Sequence, residues 1–235
     1  MNKFMKLEIK RNPMKKYYMV TLIITVVMLG FMYLFAAIPV IEPTGQDLEM
    51  FQSYKSLSAL VSLLSMVSFS VLASVMFTRF VIEEYSGKRA ILLFSYPVPR
   101  SLIFISKIKV VVGYTTIAMF ISSVCVLFVF YLTESFFPIV PDTLSFATVL
   151  KSLGLALIYS VMASIVGLLS LWFGFIKKSI SATIVSGVII LTILCNFLSM
   201  GTNNVIIPIA FTLVGIVAVI PVIGTLSKKV TKMEV

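Results

Sequence analysis

Long apolar runs alternate with short polar breaks along this 235-residue chain. An α-helix needs about 20 apolar residues to cross a hydrocarbon core of about 30 Å. The runs therefore predict six membrane-spanning helices, at about residues 18–38, 58–82, 110–132, 153–176, 180–198 and 205–226. Pro39, Pro138 and Gly201 lie in the breaks after the first, third and fifth runs, as turn residues should. The predicted fold is an all-α, polytopic membrane protein with one transmembrane domain over residues 1–235.

The composition supports a membrane protein. The chain is 60% hydrophobic and 12% charged, whereas a soluble domain carries about 25% charged residues. Cys125 and Cys195 both lie inside apolar runs. That position favours a packing role for the two cysteines over a disulfide or a metal site.

The charges are divided unequally between the two sides of the predicted spans. When successive breaks are assigned to alternate sides, one side holds 17 basic residues (Lys and Arg) and four acidic residues (Asp and Glu). The other side holds two basic and five acidic residues. The positive-inside rule places the base-rich side in the cytoplasm. Both termini and residues 79–109 are therefore predicted to be cytoplasmic in a multi-pass protein of the bacterial cytoplasmic membrane. The net charge of +10 is explained by topology and by lipid headgroups, not by nucleic acid.

The N-terminal residues have the pattern of a helix that lies on a membrane surface. Lys3, Lys6 and Lys10 fall on one helical face. The opposite face groups the apolar residues Met1, Phe4, Met5 and Ile9. This amphipathic pattern predicts an interfacial helix within residues 1–17. A disordered basic tail is the alternative.

Residues 83–100, EEYSGKRAILLFSYPVPR, concentrate charge and proline between the second and third spans. Glu83 and Glu84 followed by Arg89 are similar to the EExxxR motif of the CAAX-type intramembrane proteases, with the arginine one place too late. Those proteases need histidines on later helices, and this chain contains no His. A Ser–His mechanism is excluded for the same reason. An aspartyl mechanism needs two carboxylates within the membrane, and the predicted spans contain none, so we expect a non-catalytic protein.

The same residues resemble the cytoplasmic segment between the second and third spans of ABC-2-type transporter permeases. In that family an acidic pair ends the second span, a glycine starts a short coupling helix, and a Leu-Leu, Pro-Val, Arg and Lys pattern leads back to the membrane. The matching residues here are Glu83, Glu84, Gly87, Leu92, Leu93, Pro97, Val98, Arg100 and Lys107. The family also has six spans, cytoplasmic termini and an N-terminal helix on the membrane. The resemblance implies that residues 83–100 form a cytoplasmic coupling segment.

The resemblance also implies partners. ABC-2 permeases pair with a second permease chain, identical or homologous, and with two copies of an ATPase subunit that binds ATP and Mg²⁺. No cofactor is expected on this chain, since GFIKKS at residues 174–179 lacks the second glycine of a phosphate-binding loop. The residues expected to contact the ATPase are Glu83, Glu84, Tyr85, Gly87, Arg89, Ile91, Leu92, Leu93, Phe94, Pro97 and Arg100. The alternative is that residues 91–94 lie on the bilayer as an interfacial anchor.

Two stripes of polar residues inside the spans are candidates for a translocation path or a dimer interface. Ser58, Ser62 and Ser65 share a face of the second span, and Thr192, Asn196 and Ser199 share a face of the fifth. The resemblance implies that these two spans line the dimer interface. Small residues at such spacings more often allow helices to approach closely than contact a substrate. Asn196 is the exception, because an amide in hydrocarbon needs a partner.

The composition of the predicted spans indicates what kind of cargo to expect. No buried charge is expected, and the spans are rich in Phe and Met, which fits an apolar or amphipathic molecule. Compact ABC-2 permeases of this length resemble exporters of antimicrobial or toxin peptides and proteins that confer immunity to lantibiotics or bacitracin. We therefore expect the permease of an exporter that moves such a peptide across or out of the bacterial cytoplasmic membrane. The alternative is a stand-alone immunity protein that binds a membrane-active peptide without ATP.

Overall fold

The computed structural model describes residues 2–11, 14–41, 51–85, 99–142, 145–199 and 205–231. Within these ranges the regular structure is helical, with no strand. The helices are α1 (Asn2–Arg11), α2 (Lys15–Ile41), α3 (Tyr54–Phe77), α4 (Arg100–Phe136), α5 (Phe146–Lys177), α6 (Ile180–Ser199) and α7 (Ile206–Thr231). A π-helical turn, Thr78–Ile82, continues α3. Helices α2 to α7 are long and apolar enough to cross a membrane, which confirms the predicted all-α polytopic fold.

The helices run past the predicted spans. The largest difference is in α4, which begins at Arg100 and has 37 residues, whereas the apolar pattern placed the third span at 110–132. At 1.5 Å per residue α4 is about 55 Å long, well beyond a hydrocarbon core of about 30 Å. The backbone hydrogen bonds of α4 continue through polar residues on either side of the apolar run. A span predicted from hydropathy ends where these polar residues begin.

Helices α3 and α5 form the centre of the bundle, and small residues allow them to approach closely. A Cβ at Gly167 would lie 2.6 Å from the Cβ of Ala73. The hydroxyls of Ser74 and Ser170 form a hydrogen bond of 2.9 Å between the same two helices. Packing of this kind stabilises membrane helices because lipid supplies no hydrophobic force between them.

Helices α2, α6 and α7 are peripheral. Only 17% of the most apolar window of each is buried within the protein, against 67% for α5. Their outward faces carry large apolar side chains, including Leu22, Val26, Val185, Ile189, Leu213 and Val217. An apolar surface of this extent is stable in lipid and unfavourable in water, so the packing agrees with a protein embedded in a bilayer.

Gly174 lies in the last turn of α5, in close contact with Thr183 of α6, where only glycine fits. A Cβ there would lie 1.8 Å from the Oγ1 of Thr183 and 2.7 Å from its Cβ. We expect Gly174→Ala to destabilise the protein by about 1–3 kcal/mol through overpacking. Gly154 on the same helix has open space around it, so Gly154→Ala should be neutral or slightly stabilising. Thermal unfolding of both variants in detergent tests this, and equal midpoints would contradict the close contact.

Candidate functional site

The π-helical turn determines where the acidic pair Glu83–Glu84 points. The backbone N–H of Glu83 donates to the carbonyl of Thr78 at 2.9 Å, a bond between residues five apart. A π turn holds one residue more than an α turn, so the residues after it shift around the helix axis. Glu84 is buried, whereas Glu83 is half-buried beside Arg79. The two adjacent acids therefore have different surroundings.

Glu84 belongs to a cluster of four ionic side chains from three parts of the chain. Lys107 Nζ, on α4, donates to Glu84 Oε2 and to Glu8 Oε2, the latter at 2.8 Å. Arg11 Nη2, on α1, lies 2.6 Å from Glu84 Oε1, and its Nη1 lies 4.0 Å from Glu8 Oε1. Each carboxylate thus lies between two cations. We call Glu8, Arg11, Glu84 and Lys107 the charge cluster.

The charge cluster is largely removed from solvent. Lys107 is 0% exposed and Glu84 is 4% exposed, whereas the Arg11 side chain is 49% exposed and covers the cluster from outside. Buried charges are tolerated in a protein when they are paired and hydrogen-bonded. The cluster therefore fastens α1 and the end of the π turn to α4. The expectation of no buried charge is wrong here, because hydropathy placed residue 107 in a loop whereas α4 begins before it.

Tyr85, the next residue, is fixed by aromatic packing. Its ring centroid lies 5.8 Å from that of Phe104 and 6.0 Å from that of Phe175. Burial raises the pKa of the Tyr85 hydroxyl above its usual value, and the nearby carboxylates of Glu84 and Glu8 raise it further, so the hydroxyl is protonated at physiological pH. Glu84 and Tyr85 together hold the start of the predicted coupling segment against the bundle.

The predicted ATPase-contact residues fall partly within the structure. Glu83, Glu84 and Tyr85 follow the π turn, and Arg100 begins α4 in a half-buried position. The others lie outside the described residues, as does the predicted coupling helix itself: Gly87, Arg89, Ile91, Leu92, Leu93, Phe94 and Pro97. Their contact with an ATPase stays a prediction.

The predicted N-terminal helix is present as α1, but it ends at Arg11. Lys15 already belongs to α2, so residues 1–17 are not one helix. Sequence reasoning missed the partnership of Glu8. The local composition could have indicated that Glu8 has a special role, because Glu8 is the one acidic residue among six basic residues before the first span. The position of α1 on the surface of a membrane stays a prediction.

The two polar stripes do not come together. Ser58, Ser62 and Ser65 are buried, and Ser58 Oγ accepts a hydrogen bond of 2.8 Å from Ser152 of α5. Thr192, Asn196 and Ser199 are exposed on α6. Asn196 Nδ2 donates to the carbonyl of Thr192 at 2.8 Å, so its amide has a partner on its own helix. The first stripe therefore packs towards α5, while the second faces outward.

The α6 stripe borders a groove between α3 and α6. This groove has a volume of about 490 Å³. Its walls are apolar on the α3 side and carry amide and hydroxyl groups on the α6 side: Leu63, Val67 and Val71 face Val188, Leu191, Thr192, Cys195, Asn196 and Ser199. The groove offers an amphipathic surface at the depth of the spans.

A third buried carboxylate, Glu134, lies at the other end of α4. Its Oε2 accepts hydrogen bonds from the Tyr54 hydroxyl at 2.9 Å and from the backbone N–H groups of Ile139 and Val140 at 3.0 and 3.3 Å. Among the described residues no Lys or Arg forms an ion pair with Glu134. Glu134 thus joins the start of α3 to the chain that follows α4.

Comparison with known proteins assigns the chain to no family. No family model matches the chain, and no solved structure matches it. A protein of Bacillus subtilis (strain 168), named uncharacterized protein YcbO, is 25% identical over 189 residues, which is 80% of this chain and 81% of that protein. The likeness extends over most of both chains, and the relative's name assigns no function.

Proposed function

We propose that this chain is the permease subunit of an ATP-binding cassette exporter. It would move an amphipathic or hydrophobic cargo, such as a toxin or antimicrobial peptide, across or out of the bacterial cytoplasmic membrane. A separate subunit would hydrolyse the ATP. The observation that carries the proposal is the position of Glu84. Glu84 is the second acid of the motif that resembles ABC-2 permeases. Side chains of α1 and α4 hold it two residues before residues 86–98 begin in the sequence.

This arrangement supports a mechanical role for the segment. In the sequence, residues 86–98 lie between the π turn that ends α3 and the helix α4, which packs against α1, α2, α3, α5 and α7. Ion pairs shielded from water are stronger than exposed pairs, so displacement of Glu84 would carry Lys107 with it. An ATPase that pulled on residues 86–98 would therefore act on the central helix α3 and on α4 together, with α1 moving as part of the same unit.

The groove between α3 and α6 supports the cargo and dimer part of the proposal. In the resembled family the second and fifth spans, here α3 and α6, line the dimer interface. The groove combines apolar walls with Thr192, Asn196 and Ser199, which suits an amphipathic peptide or the matching surface of a second permease. Either partner would cover apolar area and supply contacts for the exposed stripe.

The docking step is tested by replacing four apolar residues in the coupling segment. We expect the combined change Ile91→Ser, Leu92→Ser, Leu93→Ser and Phe94→Ser to reduce association with the ATPase at least tenfold, because buried apolar anchors dominate binding at such interfaces. The measurement is co-purification with a co-produced ATP-binding cassette ATPase, sought first among the genes that neighbour this one, followed by ATP turnover in lipid discs. Lys228→Ser with Lys229→Ser, in the last turn of α7 beside the predicted cytoplasmic C-terminus, is the control. Unchanged association would contradict docking at residues 91–94.

The competing function is a stand-alone immunity protein. It predicts that cells producing this chain alone resist a membrane-active peptide, and that a co-produced ATPase adds nothing. The permease predicts protection or export only when the ATPase is present and able to hydrolyse ATP. An ATPase variant that binds but does not hydrolyse ATP separates the two functions in one assay.

A further inference from the structure

A groove between α2 and α3 remains outside the proposed transport function. It has a volume of about 540 Å³. Its walls come from one face of each helix, and charged residues gather at one end: Lys16, Tyr17, Val20 and Ile24 on α2, Ser68, Val71, Leu72, Val75 and Arg79 on α3 and its π turn, then Glu83 and Glu84. The groove thus has apolar walls along most of its length. Charged residues line one end, which we call the mouth: Lys16, Arg79, Glu83 and Glu84.

The length of the groove matches one leaflet of a bilayer. Ser68 and Arg79 are eleven residues apart, which is about 16 Å at the helical rise. Half of a hydrocarbon core of about 30 Å is about 15 Å. The wall between these two residues is formed by Val71, Leu72 and Val75. An acyl chain of a lipid in the leaflet at the mouth has the length and the polarity that these walls accommodate.

The charges at the mouth favour an anion. Lys16 is exposed, and no carboxylate among the described residues lies within ion-pairing distance of it. Arg79 is 66% exposed and pairs through its Nε with Glu83 at 3.5 Å. Exposed pairs of this length contribute little, and the terminal guanidinium nitrogens stay available to a phosphate. Glu84 is neutralised within the charge cluster.

We propose that this groove binds an anionic phospholipid. Its phosphate lies between Lys16 and Arg79, and one acyl chain lies along Val20, Val71 and Val75. Guanidinium and ammonium groups at a membrane surface bind phosphate strongly, and basic pockets between membrane helices select anionic headgroups. Tyr17 lies at the same depth, where aromatic residues face the headgroups. A zwitterionic lipid is disfavoured, because Lys16 and Arg79 repel its ammonium group, and the carboxylate of Glu83 at the same mouth is already paired with Arg79.

The binding test uses the full chain, purified in detergent and stripped of lipid. Phosphatidylglycerol or phosphatidylcholine is then added, and bound lipid is measured by native mass spectrometry and by the thermal unfolding midpoint. We expect preferential binding of phosphatidylglycerol. At about fivefold per cation near a membrane surface, Lys16→Gln should weaken this binding about fivefold, and Lys16→Gln with Arg79→Gln about thirtyfold. Lys15→Gln removes the same charge from the neighbouring residue, which does not line the groove, and should retain binding.

A steric variant tests the acyl-chain part separately. Val75→Trp fills the groove and keeps both cations, so we expect it to lose phosphatidylglycerol while the helical content measured by circular dichroism is unchanged. Equal binding of the two lipids would overturn the proposal. So would equal effects of Lys15→Gln and Lys16→Gln, or normal binding by a folded Val75→Trp variant. Inorganic phosphate that stabilises the chain as much as the lipid would also contradict a lipid site.

Discussion

Lys107→Met is expected to destabilise the protein by about 3–5 kcal/mol, the usual cost of removing one partner from a buried ionic group. Lys107 is the fully buried cation of the charge cluster and donates to both Glu8 and Glu84. Without it, two buried carboxylates share only the half-exposed Arg11. Like charges would then repel each other in a site that is shielded from water.

The measurement for Lys107→Met is unfolding in detergent, by heat or by denaturant. Lys109→Met is the matched control, since Lys109 is on the same helix with an exposed side chain, and exposed ionic contacts contribute at most about 1 kcal/mol. Adding Glu84→Gln to Lys107→Met removes one of the stranded carboxylates. We expect the double variant to be less destabilised than the sum of the two single variants. Additive effects would contradict direct coupling between Lys107 and Glu84.

Glu134→Leu is expected to cost about 2–4 kcal/mol. The variant removes the acceptor for the Tyr54 hydroxyl and for the N–H groups of Ile139 and Val140. A buried donor left without a partner costs about 1–3 kcal/mol, and some of these donors can reach solvent, since Ile139 is exposed. The loss should separate the start of α3 from the chain after α4.

Glu134→Gln is the control, because its amide oxygen keeps one acceptor at the same place. Its effect should be clearly smaller than that of Glu134→Leu. Hydrogen exchange at the amides of Ile139 and Val140 gives the local measurement, and exchange should accelerate in the leucine variant and little in the glutamine variant. If the two variants unfolded and exchanged alike, the acceptor role of Glu134 would be wrong.

The two buried ionic sites are related by their positions on α4. Lys107 and Glu134 are 27 residues apart, which is about 40 Å along a helix. A bilayer with its headgroups is about 40–45 Å thick. An α4 that crosses a bilayer would therefore place each site near an interface, where water and headgroups are close, with the apolar middle of α4 between them. The charges are buried by protein without being placed at the centre of the membrane, where their cost is greatest.

The sequence by itself determined the helical class and the number of spans. A run of about 20 apolar residues is stable in hydrocarbon only when its backbone forms internal hydrogen bonds, and a helix does this within one segment. The charge distribution likewise predicts the sidedness, because each break is assigned by its own residues. These properties are local, so they can be read without knowledge of which helices are neighbours.

Only the tertiary structure decided which faces of the helices meet. Glu8 and Lys107 are 99 residues apart in the sequence, and no local pattern predicts that Lys107 donates a hydrogen bond to Glu8. The serine stripe of α3 was found to face α5, while the Asn196 stripe of α6 faces outward. In a soluble helix a polar outer face would have revealed the buried one. Lipid is as apolar as a protein interior, so the inward and outward faces of these helices look alike in sequence.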